Sequence, residues 1–290
     1  MEFFRQRIEQ QLIGLTGLAL GNIDYEAPAG DPGLFGPDSV CWRVHGDFPA
    51  MLCGGISALM LQMLHPLALA GVLDHSNFRE DMIGRLQRTG QFIAGSTFAG
   101  TTDARRLIER VRRIHSQVVG VAPDGRAYAA NDPALLVWVH VAEVHSFLTG
   151  YLRYCNPHLG TGEQDRYYAE VARIAEALGA TGVPRSRQEV KNYLESMRPE
   201  LVFDKRTAEV LSLLMHAPAP NLLTLPLSRL MTRAGLQLLP DWAGAMIGIG
   251  DSPWQQRIIE HSMNRLAPAI RWSFRNGALH RARRRMGITA

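Results

Sequence analysis

Cysteine is scarce in this chain, and its three copies, Cys41, Cys53 and Cys155, lie far apart with no CxxC pair. That excludes a disulfide framework and a cysteine-ligated zinc site, and it fits a reducing cytoplasm. Also missing are HExxH, any ExxH, a serine nucleophile elbow, a P-loop, a GxGxxG after a strand and CxxCH. Zinc-hydrolase, paired-carboxylate di-iron, common nucleotide-binding and covalent-haem chemistry therefore have no motif here. Met1–Gln11 carries Glu2, Arg5, Arg7 and Glu9 and has no apolar stretch before a small-residue cleavage site, so it does not read as a secretory signal. Positive charge is confined as well. The net +4 of the 290 residues rests on Arg271, Arg275, Arg281, Arg283, Arg284 and Arg285 at the end, where no acid occurs. The body lacks the spread of positive charge of a nucleic-acid footprint. The basic tail reads either as a solvated helix end or as an adhesion site for anionic lipid or a partner.

What the chain does contain is apolar sequence and helix punctuation. With 46% hydrophobic and 20% charged residues it can build a sizeable core. Met51–Leu73 is uncharged and long enough to cross a bilayer, but Gln62, His65 and Pro66 in its middle suit a buried helix that bends at a cavity. No stretch alternates long enough for a sheet. The pattern predicts helices over 2–20, 49–64, 67–73, 78–89, 102–120, 133–154, 162–178, 187–198, 205–215, 221–238 and 253–273, hence an all-α fold. Asp132-Pro133 is a cap with a first-turn proline, Thr161 with Gln164 and Ser186 with Glu189 have capping-box spacing, and Gly179 ends a helix. Gly21–Val44 reads as an irregular arm and Gly120–Asn131 as a loop turning at Pro123-Asp124-Gly125.

Ala104, Leu107, Ile108, Val111, Ile114, His115, Val118 and Val119 follow the spacing of a core-facing stripe, which puts His115 on a buried face. A buried imidazole needs a partner, and a carbonyl, a carboxylate or a metal would serve. Arg85 and Thr89 share a helix face and read either as surface groups or as a clamp on a ligand carboxylate, with Arg88 as a second cation nearby. Glu143 and His145 read either as groups that support a ligand from behind or, first, as solvated or structural groups.

Several ordered blocks resemble the rubber oxygenase and mpaB-type oxygenase family. They are Trp42-Arg43-Val44-His45, Gln62-Met63-Leu64-His65-Pro66, Gly71-Val72-Leu73-Asp74-His75-Ser76, Arg85-Leu86-Gln87-Arg88-Thr89, Arg112 to Gly120, Tyr128 to Pro133 and Leu136 to His140. The resemblance spans about residues 36–240. It implies an all-helical single domain with a buried haem b pocket, and O₂-dependent cleavage of isoprenoid double bonds. It implies His115 as the iron ligand and Arg85, Thr89 and Arg112 as haem-binding groups, with Arg85 and Thr89 near the reacting centre; Arg88 is the further cation expected to bind a propionate. The family's distal glutamate has no counterpart, since Leu61–Leu73 holds no carboxylate. Either His65 or a water takes its place, or the chemistry differs.

The resulting organisation is an N-terminal helix and arm over 1–35, an oxygenase-like helical domain over 36–273 and a basic tail over 274–290. The expected function is a cytoplasmic, haem-dependent oxidation of a hydrophobic, isoprenoid- or polyene-like substrate by O₂, with no nucleic-acid partner and a peripheral membrane contact through the tail. The rivals are a non-catalytic carrier of haem or of an apolar lipid-like ligand, and a haem protein for sensing or storage.

Overall fold

The computed structural model describes residues 23–217 and 225–288. Thirteen α-helices, a single 3₁₀ turn (Arg198–Glu200) and one short hairpin account for the regular structure of the described residues. In chain order the helices are α1 (Val40–His45), α2 (Phe48–Gln62), α3 (Pro66–His75), α4 (Met82–Phe98), α5 (Thr101–His115), α6 (Pro133–Tyr154) and α7 (Thr161–Leu178). They continue with α8 (Arg187–Met197), α9 (Lys205–Met215), α10 (Leu225–Leu236), α11 (Asp241–Met246), α12 (Pro253–Ser273) and α13 (Ala278–Arg285). The all-α expectation holds. The helix predicted over 2–20 lies outside the described residues.

Side-chain caps start most of these helices by satisfying amides that the first turn leaves free. Asp47 accepts from Ala50, Asp81 from Gly84 and Asp132 from Ala134, with Pro133 opening α6 as expected. The two predicted capping boxes fare differently. Ser186 does cap α8, but Glu189 accepts from the Arg185 amide rather than closing the box. At α7 the cap is Gly160, and Gln164 donates to the Leu159 carbonyl instead. Gly179 ends α7 with φ +113°, a conformation that glycine adopts without cost.

The uncharged run Met51–Leu73 forms α2 and α3, which meet at a 106° bend. Pro66 cannot continue a preceding helix, and the His65 ring caps the new one. Helix α6 is long and apolar enough to cross a membrane, yet 72% of its apolar window is buried within the protein. It pairs with α2 as the central layer. A Cβ at Gly54 would come within 2.9 Å of the Ser146 carbonyl, and one at Gly150 within 2.7 Å of the Ala50 carbonyl. Gly235 of α10 approaches the Cys53 carbonyl equally closely. Small residues thus set the spacing of three core helices.

Three expectations are corrected. The loop turning at Gly125 is flanked by paired strands, Val119–Val121 with Ala127–Ala129, three residues each and too short to show alternation. On α5 only Ala104 and Ile108 are fully buried and Ile114 is exposed, and the helix ends at His115, so Val118 and Val119 of the expected stripe lie beyond it, Val119 exposed in the hairpin. Residues 274–288 are not wholly a solvated tail. Helix α13 packs on α4, and its Arg285 is 3% exposed.

Candidate functional site

Helices α2, α4, α6 and α10, with residues 274–280, enclose a cavity of about 300 Å³. Most of its wall is apolar, including Phe48, Ile56, Leu59, Leu86, Ile93 and Phe147. Two glycines help to hollow it: Gly55 and Gly90 line the space, and a Cβ at either would meet nothing within 4 Å. On α4, Arg85, Thr89 and Ile93 succeed one another at one-turn spacing and present a continuous stripe to the cavity. On α6, Glu143 and Phe147 do the same from the facing side.

Among the polar groups at the wall are His45, Arg85, Thr89 and Glu143. Burial pushes the Glu143 carboxyl up to about 7, against the opposing pull of the Arg85 guanidinium. Burial also lowers Arg85, with Glu143 as the charge that restrains the shift. The His45 ring is held at both nitrogens, 2.8 Å from Thr97 Oγ1 and 2.9 Å from the Tyr167 hydroxyl. Burial, then the nearby His140, drives His45 down to about 3. His140 itself falls to about 4 by burial, and its Nε2 has no partner. His145 falls to about 4 for the same reason. All three imidazoles are neutral at pH 7, so the charges of this region belong to Arg85 and Glu143.

The sequence-predicted residues separate into two groups. Arg85 and Thr89 line the cavity, though the Thr89 hydroxyl already donates to the Arg85 carbonyl, 3.2 Å away. His115, at the C-terminal end of α5, is not part of the cavity wall. Its Nδ1 is buried without a hydrogen-bond partner, and burial together with the Arg85 charge lowers its pKa. Arg85 is therefore the group that links His115 to the cavity. The other three lie elsewhere. His65 Nδ1 accepts from the Leu67 amide at 3.2 Å and the ring sits 6.0 Å from that of Trp138, so its free lone pair is spent on capping α3. Arg88 is exposed and pairs with Asp81 at 3.3 Å. Arg112 is exposed and lies 3.8 Å from Glu109.

Two histidines of the wall, His45 and His280, had no role in the sequence reading, and Glu143 was read first as solvated or structural. One signal for Glu143 was present, as it is the only carboxylate in the 22-residue apolar helix α6, and such a charge needs a reason to be there. His45 stood in a recognised block but nothing local marked it. His280 stood among arginines and read as tail.

Among the described residues no three His, Cys, Asp or Glu side chains gather as a metal site. A haem asks for less: one axial nitrogen, an apolar slot and a cation for its propionates. The orphaned Nδ1 of His115, the apolar cavity and Arg85 supply one of each, and the lowered pKa keeps the imidazole in the neutral form that binds iron. The donor chemistry suits the group, with His115 standing beside the cavity rather than in its wall. A family model described as ER-bound oxygenase mpaB/B'/Rubber oxygenase, catalytic domain, matches residues 42–272. Comparison with curated proteins and with solved structures gives no match.

Proposed function

Because the chain belongs to the family of mpaB and rubber oxygenase catalytic domains, and so is oxygenase-like, we propose a haem b-dependent oxygenase acting on a hydrophobic, isoprenoid- or polyene-like substrate. The observation that carries this reading is an apolar cavity with one sequestered Arg85 and Glu143 couple, next to a histidine whose buried nitrogen has no partner. His115 would hold the iron, and Arg85 would pair with a propionate. Bound haem would supply the oxygen chemistry.

The remaining work falls to the chain. Its apolar wall orients a hydrocarbon and keeps water from it. Near pH 7 the Glu143 carboxyl is close to half protonated, so it can give or take a proton at the cavity surface without a large driving force. It occupies the role for which His65 was expected. Thr97 and Tyr167 fix the His45 ring, which is too weakly basic to compete for that proton.

The test is the absorption spectrum of protein reconstituted with haem. A Soret band that vanishes or shifts in His115→Ala is expected. An identical band in the variant removes His115 as ligand, and no band in the wild type removes the haem. O₂ uptake by the ferrous protein with a polyene separates an oxygenase from a carrier of haem or apolar ligand, which would bind without consuming O₂.

A further inference from the structure

We infer that the outer face of α12 docks on an anionic lipid bilayer. Helix α12 contacts the body through Met263, Ala267, Ile270 and Ser273, which are buried. Its opposite side leaves large apolar groups in water: Trp254 is 62% exposed, Ile258 54%, Trp272 40% and Leu266 39%. Trp254 and Trp272 are separated by about five helical turns, so they emerge along one line about 27 Å apart. Ile258 projects close to that line. Monomeric proteins seldom leave such a row uncovered unless something covers it in use.

Charge identifies the cover. Arg257 and Arg265 are exposed on the same side and have no carboxylate partner among the described residues. The one acid in the helix, Glu260, is engaged by Arg153 at 3.4 Å. Indole rings with arginines between them and no competing acid suit the boundary between headgroups and acyl chains, where the ring sinks and the guanidinium meets phosphate. A second copy of this chain is a poorer occupant, because a two-fold pairing through α12 would set Arg257 and Arg265 against their own copies.

This relocates the membrane contact expected of the basic tail. Arg284 is bonded to Glu26 at 2.7 Å, Arg281 lies within ion-pair reach of Asp24 and Glu26, and Arg285 is buried. Those three cations are taken by the protein itself, which leaves only the exposed Arg283 on α13, whereas Arg257 and Arg265 are available along the row of indoles. The position is also apt. The chain leaves α12 through Phe274 to His280, which line the cavity, and α10 both packs on α12 and lines it. A bilayer beneath α12 would lie beside a cavity that takes apolar molecules. That last link rests on the proposed function, but the docking surface does not.

The test is co-flotation of the full-length protein, haem-free and haem-loaded, with phosphatidylcholine vesicles containing phosphatidylglycerol, and with phosphatidylcholine alone. Binding to the anionic vesicles in both forms, weakened by salt, is expected. Trp254→Ser with Trp272→Ser should reduce partitioning about tenfold, and Arg257→Gln with Arg265→Gln several-fold, at unchanged thermal stability. Wild type that stays in solution, or double variants that float as well as wild type, overturn the inference. A dimer by light scattering that the tryptophan variant converts to monomer overturns it too, and gives the face to a second copy. None of these outcomes depends on a Soret band, so this surface and the haem can fail separately.

Discussion

Arg285 and Arg85 are both withdrawn from bulk water, but the protein surrounds them differently. Arg285 Nε donates to the Asp31 carbonyl at 2.7 Å, and Nη1 donates to the carbonyls of Tyr25 and Phe98 at 3.0 and 2.8 Å. These bonds pin the irregular arm and helix α13 to the end of α4. Asp31 completes the joint by accepting from the Thr101 amide and hydroxyl, 2.7 Å each. Arg85 has Glu143 as its opposing charge and faces a cavity. A buried cation tied by three bonds to backbone carbonyls holds a fold together, even with its Nη2 left unpartnered. One whose donors point into open space has capacity left for a ligand.

The largest effect should come from reversing the two environments. Arg285→Leu leaves three buried carbonyls without donors, and a loss of about 3–5 kcal/mol is expected by chemical denaturation. Arg85→Leu should cost less than about 1 kcal/mol at pH 6, where Glu143 can take a proton in place of a partner, while removing the cation proposed to meet a haem propionate. If the two losses come out equal, the distinction between a structural and a ligand-facing arginine is wrong.

Glu143 allows a second comparison, this time across pH. Its folded pKa of about 7 stands above the ordinary 4.5, so between those values the native state holds a proton that the unfolded chain has released. Stability therefore falls as pH rises through that window. The imidazoles act in the opposite sense. His45, His140 and His145 have folded values of about 3, 4 and 4 against an ordinary 6.5, so they lower stability as pH falls below 6.5. Glu143→Gln should stabilise the protein on the order of 2–3 kcal/mol at pH 8 and change little at pH 4. Denaturant midpoints across pH would show it, and a uniform offset between the two proteins would rule out a raised carboxyl.

Much of the helical scaffold was legible because its cues are local. Asp132-Pro133, Gly179 and Pro66 act within a turn of where they stand, and the helices they bound lie where predicted. Shorter elements escaped. Val40–His45 and Asp241–Met246 offer six residues each, less than two turns of periodicity. The site was legible only in part. Arg85 and Thr89 share a face on one helix, which spacing reveals, but Glu143 faces the same cavity as Arg85 from a second helix far away in sequence. His65 looked catalytic because histidine at a bend has two uses, and only the Leu67 amide shows that capping is the one in force. Arg88 and Arg112 came with the family blocks, yet helix rotation turns both to water.

The contrast between packed and open ground can be sharpened at adjacent residues of α2. Gly54 faces α6, where an added methyl would meet the Ser146 carbonyl at 2.9 Å and Phe147 Cα at 3.0 Å. Backbone cannot step aside cheaply, so Gly54→Ala should cost about 1–3 kcal/mol. Gly55 faces the cavity and a methyl there meets nothing. Gly55→Ala should gain about 0.5–1 kcal/mol from helix propensity while narrowing the cavity. Thermal midpoints moving in opposite directions are the expected result, and a common direction would place the cavity wall wrongly.

The smallest effect expected is at Arg88, three residues beyond Arg85 and rotated away from the cavity. Its guanidinium and Asp81 are both solvent-exposed at 3.3 Å, an arrangement in which screening and side-chain entropy offset most of the attraction. Arg88→Ala should change stability by less than about 0.5 kcal/mol. Haem titration should give the same affinity as wild type within about twofold, whereas Arg85→Ala weakens it at least about tenfold. The two arginines share a helix and a charge and differ only in the face they occupy. A matching loss at Arg88 would mean that α4 turns when haem enters, bringing the exposed cation to the ligand and carrying Arg85 away from Glu143.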